Sequence, residues 1–194
     1  MPMKRFVFLI LLIPFGCSAY AQDYTNLLHP VADKIWRAWY VYNKNPLSMT
    51  DQLFFLQCFP KTKDDFIFTF DPDDKKQLYK PSGDFIQAFE DIGKTMPDSV
   101  LKLGIQICKQ MKWAAGVSEK FQHAMLTVAA NNPAKFVDWA YTLKRKELAA
   151  AITYLADVES TPECAVYKKL INNLHDIGAY NLEGMLQRAR TYTH

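Results

Sequence analysis

Glycine is scarce in this chain, seven among 194 residues. That argues against a fold of many tight turns, and neither G-x-G-x-x-G nor G-x-x-x-x-G-K-S/T occurs to cradle a nucleotide. Histidine is equally sparse, with His29, His123, His175 and His194 forming no H-E-x-x-H and no pair at helical metal spacing. Of four cysteines none stands at the C-x-x-C spacing of zinc or redox sites. Asp71, Asp73 and Asp74 lack the D-x-D/N-x-D/N-G frame of a calcium loop, and Pro72 interrupts its first step. No G-x-S-x-G nucleophile elbow is present. The sequence therefore offers no cofactor site, no metal site and no local signature of a catalyst.

Charge of one sign is lacking too. The formal charge is +3, from 23 basic and 20 acidic residues. The densest basic cluster, Lys144-Arg145-Lys146, reads as a solvated helix junction, with Lys168-Lys169 the next. Nucleic acid is not an expected partner, because phosphate binding needs a concentrated basic surface.

What is present begins at the N-terminus. Lys4-Arg5 precedes an apolar run from Phe6 to Phe15, and Ala19-x-Ala21 follows with small residues where signal peptidase reads them. The run is too short to span a bilayer, which takes about 20 residues. Residues 1–21 are expected to be a signal peptide and 22–194 a single globular domain, periplasmic or secreted. An outer-envelope lipoprotein anchored through Cys17 is the alternative, although Pro14 and Phe15 fit a lipidation box poorly. Cleavage after Ala21 removes two basic and no acidic residues, which brings the formal charge to +1.

Aromatics are plentiful: 13 phenylalanines, 10 tyrosines and 4 tryptophans, in a chain 49% apolar. Such a composition excludes disorder and supplies a core. Apolar residues recur at three- and four-residue steps from Tyr24 to Tyr42, then over about 83–93, 97–112, 118–131, 133–143, 146–157, 162–177 and 181–190. Ser48-x-x-Asp51 opens a further helix into Leu53–Phe59, and Thr62 ahead of Asp64-Asp65 opens one into Phe66–Phe70. These last two stretches are rich enough in phenylalanine and isoleucine that a two-stranded hairpin is the competing reading. Residues 71–83 are the clearest loop and a possible sub-boundary.

The expected fold is all-α, a helical bundle or an irregular stack of helical hairpins of the HEAT or tetratricopeptide kind, with about 8–10 helices. Thr95-Met-Pro97, Asn132-Pro133 and Ser160-Thr-Pro162 each place a capping side chain before a proline near a helix start. With Pro60 the prolines recur at 37, 36 and 29 residues, a spacing that suggests stacked helical pairs.

Candidate binding residues are few. Trp36, Trp39 and Tyr40 give one end of the first helix an unusual density of rings with polar handles, suited to a protein interface, with ordinary core packing as the competing reading. Trp113 falls at a helix junction. His123 is one of two isolated candidates; His175, beside Asp176, forms the only adjacent base and carboxylate, yet neighbouring helical residues point about 100° apart. Cys58 and Cys108 lie among apolar residues and read as buried small side chains, and any disulfide among Cys58, Cys108 and Cys164 is left open. The expected function is a non-enzymatic module binding another protein. The alternative is a small-molecule-binding or hydrolytic protein, whose hallmark is a pocket bringing together at least two of His123, His175, Cys108 and the carboxylates of the 71–83 loop.

Overall fold

The computed structural model describes residues 30–70, 78–112, 116–158 and 165–193. Among them are ten helices and no strand: α1 (Pro30–Lys44), α2 (Met49–Cys58), α3 (Lys63–Phe70), α4 (Ser82–Thr95), α5 (Pro97–Cys108), α6 (Val117–Asn131), α7 (Pro133–Ala140), α8 (Arg145–Ala156), α9 (Ala165–Asp176) and α10 (Tyr180–Thr193). The fold is all-α, packed helix against helix. The two ambiguous stretches are helices, and local capping explains why. Ser48 Oγ accepts from the Asp51 N–H at 3.3 Å, and Thr62 Oγ1 accepts from the Asp65 N–H at 3.1 Å. Each satisfies a donor that the first turn leaves without a partner.

Two expected caps work differently. Pro97 and Pro133 do occupy the opening turns of α5 and α7, but the residues before them donate no cap. α4 and α5, like α6 and α7, are joined by one residue, so those side chains turn back to the helix just ended. Asn132 donates to the Val128 carbonyl, and Thr95 Oγ1 lies 2.7 Å from Gln52 Oε1 and 3.2 Å from the Ile92 carbonyl. Pro60 follows the end of α2 rather than opening α3. Helices α5 and α7 stop earlier than their apolar patterns because the chain tightens into i→i+3 turns, Met111 N–H to Cys108 and Leu143 N–H to Ala140. Residues 24–29 and 159–164 lie outside the described residues, as do Cys17, Cys164 and Trp113.

Most strong packing joins helices one or two places apart in the chain, such as α4 with α6, α5 with α7 and α8 with α10; α2 with α5, α5 with α8 and α6 with α9 cross three places. Helices α5 and α6 are the centre. Their approach depends on glycine: a Cβ on Gly93 of α4 would lie 2.6 Å from Val128 Cγ2, and one on Gly104 of α5 would run into the Met125 side chain. Gly83 near the start of α4 faces Lys120 near the start of α6, and Gly93 near its end faces Val128 near the end of α6. The two helices therefore run parallel and in direct contact, with α5 packed against both.

The amino-terminal helices join this centre through phenylalanine. Phe59, fully buried, has ring centroids of Phe55, Phe66, Phe70, Phe89 and Phe121 within 4.7–6.5 Å. Each buried phenylalanine contributes roughly 1.5–3 kcal/mol by leaving water, and ring pairs add about 0.5–1.5 kcal/mol. Polar groups that enter the core between α6 and α8 are satisfied. The buried Gln122 amide donates to the carbonyls of Tyr154 and Asp157 at the end of α8, and the Tyr154 hydroxyl donates to the Ser118 carbonyl at 2.6 Å.

Candidate functional site

Two surfaces stand out, and the first is apolar. Of the twelve large exposed apolar side chains among the described residues, eight lie from Tyr40 to Phe68, on α1, α2, α3 and the turn between α1 and α2. Leu47 and Met49 at that turn are 84% and 64% exposed, too open to serve the core. On α2 four apolar residues run in sequence, Leu53-Phe54-Phe55-Leu56. At about 100° per residue such a run sweeps most of the helix circumference, so one side of the helix cannot hold all four. Phe55 and Leu56 take the core; Leu53 and Phe54 face out. Helix α3 divides the same way, with Phe66 and Phe70 inside and Ile67 and Phe68 outside. Both helices pack on α1.

The aromatic cluster of α1 splits between these roles. Trp36 and Trp39 are partly buried, 5.4 Å apart, and both rest on Phe85, at 6.1 and 5.1 Å. They chiefly support the α1–α4 packing. Tyr40 is 55% exposed, with the Lys44 ammonium 4.3 Å over its ring.

The second surface is a groove of about 500 Å³ between α4 and α6. Its floor is the buried Ile86, Leu126 and Val158, and its polar rim carries Gln87, Glu90, Glu119, Lys120 and His123. Glu90 is half-buried, and no hydrogen bond or ion pair ties its carboxylate to another described residue. Burial pushes its carboxyl above the usual glutamate range; His123 across the groove pulls it partly back, Asp91 acts with burial, and Lys94 against it. Beyond Glu90 the groove continues for about 290 Å³ past Gly93, Lys94, Thr127 and Asn131. Thr127 Oγ1 is buried there without a hydrogen-bond partner.

The other candidates are scattered. His175 turns away from its neighbour Asp176: its Nδ1 lies 3.2 Å from Glu183 Oε2 across the α9–α10 turn, and its ring meets Tyr180 edge-on at 5.2 Å. Cys108 is fully buried, and burial drives its thiol far above the ordinary range. Cys58 is partly exposed; burial raises its thiol as well, against the pull of Lys34 and Lys61. Both are free thiols. The groove thus gathers His123 alone of His123, His175 and Cys108. Lys144, Arg145 and Lys146 stand exposed at the start of α8.

Sequence reasoning missed Leu53, Phe54 and Ile67 as surface residues and Glu90 as a groove residue. The signal for the first three was the apolar runs themselves, wider than one helical stripe; for Glu90 there was none, since His123, which faces it across the groove, lies 33 positions away. Among the described residues no helix is long and apolar enough to cross a membrane, and no group of three or more metal-binding side chains converges. Compared with models of known protein families, with curated proteins and with solved structures, the chain has no match.

Proposed function

We propose that this chain is an exported, non-enzymatic helical module that binds another protein through the outer face of α2 and α3. The observation that carries the reading is the exposure of Leu53, Phe54, Ile67 and Phe68 on two consecutive helices. Contiguous exposed apolar surface is costly in a monomer and marks interaction sites, and aromatic side chains dominate the energetics of such interfaces. The succession of short helices, most of them packed on helices one or two places away, suits a binding surface assembled from helical pairs. Export is supported by the basic, apolar and Ala-x-Ala order of residues 1–21.

A photo-crosslinking residue in place of Phe54 tests the binding face. In the native organism it is expected to give one discrete protein adduct, with none from the same residue at Tyr180 on α10. Adducts equal at both positions, or none at Phe54, would overturn the reading. Intact mass of the exported protein tests the address: a Gln22 start supports cleavage after Ala21, a diacylated Cys17 start assigns the lipoprotein alternative, and an uncleaved chain contradicts both.

A further inference from the structure

The α4–α6 groove is separate from the α2–α3 face and has a chemistry of its own. Its size falls within the range of small-molecule sites, roughly 300–1,000 Å³. Ile86, Leu126 and Val158 make an apolar floor. At the point shared by its two stretches stands Glu90, half-buried and unpaired among the described residues. The groups that draw on its charge do so from a distance: His123 stands across the groove, and Lys94, one turn on in α4, is held by Asp91 at 2.6 Å, so the carboxylate has no ion pair of its own and a bound cation completes the site. Lys120 does not fill that role: its Nζ lies 3.3 Å from the place of a Cβ on Gly83, two turns of α4 and about 10 Å along the axis from Glu90.

The polar groups that α6 turns toward Glu90 offer acceptors. His123 and Thr127 are one turn apart on α6, so they share the stripe facing Glu90. Neutral imidazole offers an acceptor, and the Thr127 hydroxyl is buried without a partner. Glu119 adds a second carboxylate on the rim, one turn before His123. A carboxylate, an imidazole and a hydroxyl together present acceptors, which an ammonium with its three N–H donors satisfies. We propose that this groove binds a small organic amine, with the ammonium head at Glu90 between His123 and Thr127 and the apolar body on Ile86, Leu126 and Val158.

The test is a titration of the isotope-labelled full chain with benzylamine, using benzyl alcohol and benzoate as probes of equal size, followed by amide NMR. Benzylamine is expected to shift the amides of Glu90, His123 and Thr127 and to bind at least tenfold more tightly than either control. Glu90→Gln keeps the shape and removes the charge; it should abolish the tenfold preference while the rest of the spectrum stays in place. Thr127→Val should weaken benzylamine by a smaller factor. Benzyl alcohol or benzoate binding as tightly as the amine, a preference that survives E90Q, or no shift in the groove at millimolar benzylamine would each overturn the proposal. None of these results bears on the α2–α3 face.

Discussion

Gln122→Leu removes the clamp that holds the end of α8 against α6, and the structure sets its cost. The Gln122 side chain is buried, and its amide donates to the carbonyls of Tyr154 and Asp157. Leucine has similar volume and no donor, so the packing is kept while two carbonyls at a helix end lose their partner. A buried polar group left unsatisfied costs roughly 1–3 kcal/mol. Because the Asp157 carbonyl is only partly buried, water recovers some of its share, and the sum is about 3 kcal/mol. For a chain of this size that lowers the melting temperature by about 6–12 °C. Gln122→Glu should cost more than leucine at neutral pH, since a carboxylate then faces the carbonyls, and the two variants should converge in acid. Urea unfolding of the parent and both variants measures the difference. A loss below about 1 kcal/mol for Q122L would show that Gln122 does not satisfy these carbonyls, because desolvated carbonyls cannot go unpaired so cheaply.

Phe59→Ala should cost about 3–5 kcal/mol in the same assay, as a buried hub of the ring cluster, whereas exposed Phe54→Ala should change stability by less than about 1 kcal/mol. Glu90→Gln should stabilise the fold at neutral pH. The Glu90 pKa is raised on folding, so the native state holds its proton more tightly than the unfolded chain; the stability this confers is present in acid and lost as pH rises through the folded value. The advantage of glutamine should therefore shrink as pH falls below the ordinary glutamate range, and a gap independent of pH would contradict the assignment. Alkylation read by mass spectrometry should label Cys58 in the native protein and Cys108 only after unfolding; native labelling of Cys108 would contradict its place in the core.

Much of the fold was legible because local chemistry and periodicity agreed. Ser48 and Thr62 start helices in the two stretches whose phenylalanine content suited strands, so the caps decided against composition. Pro97 and Pro133 marked helix starts correctly, but single-residue junctions turned Thr95 and Asn132 backward, a tertiary effect that spacing does not carry. The surfaces were less legible for a physical reason. A helix whose apolar residues run in sequence has no stripe to read, so nothing local says whether Phe54 or Phe55 faces the core; Tyr42 of α1 and Phe59, each 5.7 Å from the Phe55 ring, mark the inward side. His175 and Asp176 form no dyad, as the 100° step between helical neighbours requires; the partner of His175, Glu183, lies across a turn, eight residues on. Trp36 and Trp39 drew notice for their polar handles and proved to support Phe85, leaving Tyr40 as the exposed member of that cluster.

The outer face of α2 and α3 is proposed to meet another protein. The most direct test is quantitative capture from the exported fraction of the native organism by the parent chain and by the double variant Leu53→Glu, Phe54→Glu, both shown to melt cooperatively at similar temperatures. Two carboxylates on exposed positions leave the core untouched while making the face unfit for apolar contact. One stoichiometric partner is expected with the parent, and at least a tenfold loss with the variant. Equal capture of the same protein by both chains, or no stoichiometric partner with the parent, would contradict it.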